Sequence, residues 1–338
     1  MNIQQAIKAV INKQDLSEAQ MHTVMSDIMT GKTQDAQIGG FLVGLAMKGE
    51  TIAEITAAAK VMRSLATGVD INAKHLVDTC GTGGDGLGLF NISTACAFVV
   101  AAAGGKVAKH GNRSISSKSG SADVLEAAGV NLDMSPEKIS KSIAKIGVGF
   151  MFAPAHHSAM KYAIDARKSL AVRTIFNVLG PLTNPAKAPH QIMGVYAKNL
   201  LEPIANVLKG LGSKSAMVVH SKDGLDEISI ADDTFVAELK DGKITTYTIN
   251  PVDFGLPLCS LDDIKAKDAQ SSLLLIQQAL DGKDGAAKNI IALNSGAAIY
   301  VSGITDSIQD GVDSALKILH SGAAHQKLDD FVKESTGC

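Results

Sequence analysis

The sequence is short of several things, and each shortage removes a class of function. Its 338 residues include four cysteines, Cys80, Cys96, Cys259 and Cys338, with no C-x-x-C pair among them. That scatter excludes a disulfide framework and a structural zinc site, and it fits a reducing compartment. Charge of one sign is also missing: 32 Lys and Arg stand against 34 Asp and Glu, a net charge of −2. Neither nucleic acid nor a membrane surface is expected as a partner, and any cationic site must be local. No segment reaches about 18 uncharged apolar residues, so no membrane span is expected. The N-terminal stretch mixes Lys8 and Lys13 with Gln4, Gln5 and Asp15. It lacks the apolar core of a secretion signal, and the protein reads as cytoplasmic. There is no internal repeat, no low-complexity tract and no long linker.

What remains is a chain that is 46% hydrophobic and 20% charged, long enough for about two domains of roughly 150 residues. Residues 1–72 read as all helical. Ile3, Ile7, Val10 and Ile11 form one stripe, and Met21, Val24, Met25 and Ile28 form a second after Ser17. Two more helices are expected over 33–47 and 51–66. From residue 73 to 338 strands alternate with helices. Strands are expected at 74–79, 106–109, 148–154, 191–197, 216–220, 236–239 and 245–249, the last two joined through Asp241-Gly242. Helices are expected over 119–129, from Pro136, over 158–170 and through most of the chain after Leu261. Such alternation predicts an α/β fold: a small helical N-terminal domain and a large domain with a mostly parallel sheet flanked by helices.

The densest chemistry lies between Val77 and Gly105. Gly81, Gly83, Gly84, Gly86 and Gly88 fall within eight residues, between a strand and a helix. Such a run implies positive φ or close approach of the backbone to something. The helix opens with Asn91, Ser93 and Thr94, residue types suited to a first turn. A glycine loop entering a helix N-terminus is an anion site by its free amides and dipole, or else simply a tight connection. The loop lacks the Gly-Lys-Ser/Thr ending of a Walker motif and the strict dinucleotide spacing. Asp85 inside it would repel a bare phosphate. It points instead to a metal or a sugar hydroxyl, and so to a phosphorylated sugar with a divalent cation.

Three further groups are candidates. The segment Lys109-His110-Gly111-Asn112-Arg113, with the serines after it, is either an anion cradle or a solvated loop. Asp226-Glu227 is either a solvated pair or the carboxylate contribution to a Mg²⁺ site. His157, Arg167 and Arg173 say little by themselves.

Taken together, D-T-C-G-T-G-G-D-G (78–86), N-I-S-T (91–94), K-H-G-N-R (109–113), S-G-S-A-D-V-L-E (119–126), R-T-I-F-N-V-L-G-P-L-T-N-P (173–185) and G-L-D-E (224–227) run through the chain in order. The sequence resembles the anthranilate phosphoribosyltransferase family over essentially its whole length. The resemblance implies transfer of a 5-phosphoribosyl group from phosphoribosyl pyrophosphate to the amine of anthranilate, the second step of tryptophan biosynthesis, with two Mg²⁺ ions per subunit. It implies a homodimer built on the helical domain and on helices from about 158–185. It assigns the donor to Gly81, Gly84, Asp85, Asn91, Ile92, Ser93, Thr94, Lys109, Asn112, Ser117 and Ser121. Anthranilate falls to Gly81, His110, Asn112, His157 and Arg167, and the metal to Ser93, Asp226 and Glu227. No residue is expected to act as acid, base or nucleophile; Lys109 and Mg²⁺ would stabilise charge. Two departures stand out: Leu87-Gly88-Leu89 replaces a hydroxyl-bearing run after the glycine loop, and Ala171 stands where glycine is usual. Without that hydroxyl the loop is expected to grip through its backbone. A nucleoside phosphorylase of the same fold and a non-catalytic nucleic-acid-binding relative are the other readings. The first has no pyrophosphate to neutralise, and the second needs a basic stripe.

Overall fold

The structure, a computed structural model, describes residues 1–114 and 119–337. Ser117, expected at the donor, and Cys338 lie outside the described residues. The N-terminal part is four helices, Ile3–Ile11, Glu18–Met29, Asp35–Lys48 and Ile52–Leu65. Three of them start on reciprocal caps. Asn2, Ser17 and Thr51 accept the amide three residues on, while Gln5, Gln20 and Glu54 reach back.

Seven strands follow: β1 (Leu76–Gly81), β2 (Lys106–Gly111), β3 (Val148–Phe152), β4 (His190–Gly194), β5 (Ser215–Ser221), β6 (Thr234–Lys240) and β7 (Lys243–Ile249). They form one sheet in the order β3-β2-β1-β4-β5-β6-β7. β1 to β5 are parallel, and β6 and β7 are added antiparallel. The β6–β7 turn uses Asp241 and Gly242 at φ of 50° and 71°, the left-handed pair that matches strand twist.

Side chains alternate across the sheet, and the two faces belong to different cores. On one face Met217 and Val219 join the helices Ile92–Ala102 and Ala286–Val301. On the other, Ala216 and Val218 join a cluster that runs through the helix Leu201–Gly210 into the N-terminal helices. The N-terminal helices therefore share a core with the sheet instead of closing one of their own. The helix Leu201–Gly210 was not expected from the sequence. Pro203 near its start is compatible with a first turn, and Ile204, Val207 and Leu208 are fully buried at helical spacing.

Two local features matter for the site. The strand expected over 148–154 ends at Phe152 and gives way to a helical turn, Ala153–His156. The run 173–185 contains a helix, Phe176–Leu182, with Pro181 inside it.

The helix Ile92–Ala102 is buried on nearly all sides. Phe98, Val99 and Val100 are at most 2% exposed, and each contributes about 1.5–3 kcal/mol by burial. It packs against the helices Ala286–Val301 and Ala323–Thr336. Its N-terminus is thus held on a rigid post.

Candidate active site

Chain order reverses around β1: β2 and β3 lie on one side of it, β4 and β5 on the other. Ligands of open parallel sheets bind beyond the carboxyl ends of strands at such a point. Leaving that edge are the glycine loop after Gly81, the polar segment after His110, the turn carrying His157 and the loop carrying Asp226 and Glu227.

The sheet edge is interlocked with Asp226. Its Oδ2 accepts the Gly83 amide at 2.6 Å. A Cβ on Gly81 would lie 2.5 Å from that same oxygen, and a Cβ on Gly194 would lie 1.5 Å from the Asp226 carbonyl. Both strand ends are kept bare so that Asp226 can enter, its carboxylate against Gly81 and its backbone against Gly194. Gly83, Gly84, Gly86 and Gly88 have φ from 67° to 80°, which few side-chain-bearing residues adopt. Gly81 is not among them; its requirement is close approach.

Across the crevice, the buried Lys109 donates to the Thr79 carbonyl at 2.5 Å and to Ser93 Oγ at 3.1 Å. The Ser93 side chain is also among the groups that favour the charged form of Glu227. Serine, lysine and carboxylate thus converge from a helix start, a strand and a loop. Burial, with Asp85 beside it, raises the Asp226 carboxyl to about 6. Burial, then Asp226, raises Glu227 to about 8, against the pull of Lys109. Asp85 is raised too, chiefly by burial. The three carboxylates disfavour one another's charge, which a cation brought between them would relieve. Among the described residues no group of three or more His, Cys, Asp and Glu side chains is arranged to hold a metal alone. A cation here would need further ligands, as Mg²⁺ completed by phosphate oxygens and water has.

On the far side of Lys109, His110 and His157 face each other with ring centroids 5.0 Å apart. Burial and the neighbouring histidines lower His110 to about 3, and burial and His156 lower His157 to about 4. Both rings are neutral near pH 7. The Nε2 atoms of both are buried and have no partner among the described residues. Arg167 sits on the helix Lys161–Leu170 with its guanidinium 5.0 Å from the Phe176 ring centre. No carboxylate among the described residues pairs with it.

Other expected residues are placed differently. Asn91 does not cap its helix through its side chain. Its Oδ1 accepts from Ser272 at 2.7 Å and from Ser119 at 3.2 Å, tying the helix start to two other segments. Ile92 points into the core, and its amide donates to the Phe90 carbonyl at 2.8 Å. Thr94 is buried with its Oγ1 unpartnered among the described residues. Asn112 is exposed, and its carbonyl accepts from Ser121 Oγ at 3.4 Å. Arg113 pairs with Glu126, with Asp123 nearby, and is occupied structurally. Leu87 and Leu89 pack against the larger core, and Leu89 bridges to Lys265. That is the physical reason for leucines where a hydroxyl was expected. The Phe90 amide is engaged by the Ile264 carbonyl, so part of the loop backbone is committed to the protein itself.

Sequence reasoning missed a polar layer beneath the site. Asp78 is fully buried and is raised by burial, against hydrogen bonding from Asn184, the charge of Lys109 and the His110 amide. Gln191 Nε2 donates to the Pro181 carbonyl at 2.7 Å and to Cys80 Sγ at 3.1 Å. Burial and Asp78 push the Cys80 thiol well up, which leaves it no thiolate character. Arg173 was a candidate without a role, and its stacking on Tyr196 was missed; the guanidinium carbon and ring centre are 4.1 Å apart beside the glycine loop. No local spacing signals such a pair.

Comparison with known proteins shows the family. Residues 73–325 match the glycosyl transferase family α/β domain, and residues 4–66 match that family's helical bundle domain. The chain is 78% identical over 339 aligned residues to the anthranilate phosphoribosyltransferase of Ruthia magnifica subsp. Calyptogena magnifica, covering 100% of both. The crystal structure of the Thermus thermophilus enzyme superposes with a TM-score of 0.93 at 39% identity, covering 98% of this chain and 99% of that one. The Saccharomyces cerevisiae enzyme in complex with phosphoribosyl pyrophosphate and Mg gives 0.90 at 25% identity, covering 99% and 98%. The chain belongs to the anthranilate phosphoribosyltransferase family, pentosyltransferases of tryptophan biosynthesis.

Proposed function

We propose that this chain performs the family's transfer at the crevice between β1 and β4, with the donor on the glycine-loop side and anthranilate on the histidine side. The observation that carries the assignment is the Asp226 interlock. A carboxylate from the loop after β5, with Glu227 beside it, is held against a loop of phosphate-binding type, which calls for a cation between protein and ligand. Asp226, Glu227 and Ser93 would hold Mg²⁺, two ions per subunit, and when bound it neutralises charge on the departing pyrophosphate.

In this reading Gly81, Gly84, Asp85, Asn91, Ile92, Thr94, Asn112, Ser117 and Ser121 surround the donor, several through backbone groups. Lys109 is held ready by Thr79 and Ser93, so its charge needs no reorganisation as the C1′–O bond breaks. The anthranilate nitrogen forms the new bond to C1′ and then loses a proton to solvent. An aromatic amine is neutral at pH 7, so no general base is required. Neutral His110 and His157 offer unpartnered nitrogens to the acceptor. Arg167 binds its carboxylate, with Gly81 and Asn112 completing the pocket, and so orients the amine.

A homodimer through the helical part and residues 158–185 is part of the same proposal. It is supported by exposed apolar side chains there, Met47 at 80%, Ile11 at 66% and Val172 at 58%. A cytoplasmic location is also part of the proposal. The test is fluorescence-monitored consumption of anthranilate with the donor, with and without Mg²⁺, in wild type and in D226N/E227Q. Mg²⁺-dependent turnover with release of pyrophosphate, lost in the double variant, is the expected result. Undiminished turnover in the variant removes the metal role from the pair.

A further inference from the structure

Arg173 has no role in the assignment above, yet it is the arginine placed directly on the glycine loop. Its Nη2 donates to the Gly84 carbonyl, and a Cβ on Gly84 would lie 3.2 Å from that nitrogen. Its guanidinium stacks on Tyr196 at 4.1 Å. Tyr196 is itself fixed: its amide donates to Thr82 Oγ1 at 3.0 Å, and the Thr82 amide donates to the Gly194 carbonyl at 3.0 Å. The result is a closed clasp from the end of β4, through Tyr196 and Arg173, to the middle of the loop. No carboxylate forms an ion pair with Arg173 among the described residues, although Asp85 and Asp226 feel its charge.

The clasp answers a physical need. Four positive-φ glycines leave the loop costly to order. A planar cation that can stack and donate at once is suited to fixing one carbonyl in it. Arg173 also follows closely on the helix Lys161–Leu170 that carries Arg167, past Ala171 at φ 50°. We propose that Arg173 is a positioning residue for the phosphoribosyl donor: it fixes the Gly84 carbonyl and holds the glycine loop in its binding conformation. This rests on the reading of that loop as the donor site.

The experiment is steady-state kinetics with each substrate varied, on wild type, R173A, R173K and Y196L. For R173A the donor KM rises about tenfold while the anthranilate KM stays within about twofold, as expected for losing one charge-assisted hydrogen bond on the donor side. R173K does not restore the wild-type value, because an ammonium cannot stack and donate in the same plane. Y196L shifts the donor KM in the same direction by a smaller factor. An unchanged donor KM in R173A, an equal rise in both KM values, or full rescue by R173K overturns the proposal. Should R173A fail to fold, R173K and Y196L decide by the same criteria. Wild-type protein that shows no donor-dependent turnover would overturn the donor-site reading itself. An active wild type with an unaffected R173A overturns the role of Arg173 alone.

Discussion

Gly81 and Asp226 are fitted to one another. The last residue of β1 has no side chain, and the space a Cβ would take is filled, at 2.5 Å, by the Asp226 Oδ2 that accepts the Gly83 amide. Substituting G81A pushes this carboxylate out of register without removing a charge. Activity at limiting Mg²⁺ should fall roughly 10–100-fold, as when a metal ligand's support is lost. Titration of activity with Mg²⁺ checks this; the curve should move to higher metal concentration and recover in part at saturation.

Arg167 carries a charge with no acidic partner among the described residues, and burial disfavours its charged form. R167A should raise the anthranilate KM roughly 10–100-fold, the worth of a charge-assisted pair, and leave the donor KM nearly unchanged. Varying each substrate at saturation of the other separates the two. An unaltered anthranilate KM would take Arg167 out of the acceptor site.

The two facing histidines give the fold an acid sensitivity. Their folded values, about 3 for His110 and about 4 for His157, lie below the ordinary 6.5. Between those limits the unfolded chain binds more protons than the native one, so stability falls as pH drops. The contribution is fully present above about pH 6.5 and is lost through pH 4 and 3. Denaturant unfolding from pH 7 to 4.5 should show the slope, and H110Q/H157Q should flatten it.

Glu54 makes a prediction about stability alone. It is fully buried in the fourth helix, accepts the Leu16 and Thr51 amides at 2.9 and 2.8 Å, and pairs with the nearly buried Lys48 at 2.9 Å. E54A strands two amides and leaves Lys48 to Asp15 and the Gly49 carbonyl, and should lower unfolding free energy by about 2 kcal/mol. Both KM values should stay put, because nothing in the crevice touches it.

Much of this was legible in the residues. The glycine density, Asp85 and the strand–helix alternation announced a loop over a sheet edge, because each is a local pattern. The helix Phe176–Leu182 was expected only through the family resemblance, which placed helices at about 158–185; spacing alone did not give it, because Gly180 and Pro181 sit where tertiary packing overrides propensity. Asn91 read as a residue suited to the first turn because of its type. The pull of Ser119 and Ser272, distant in sequence, redirected it. Arg173 on Tyr196 and Asp78 beneath His110 are meetings between segments, and composition carries no trace of them.

The continuity between the N-terminal helices and one face of the sheet has a thermal consequence. Ala216 and Val218 on β5 lie in the same buried cluster as Phe41 and Ile28. Thr67 and His156 clamp the connection, with amide to carbonyl at 2.8 Å and ring to carbonyl at 2.7 Å. Releasing the helices strips one side of the sheet bare, and losing the sheet leaves the helices without a floor. Heating should therefore yield one cooperative endotherm, with no separate early melting of the N-terminal quarter.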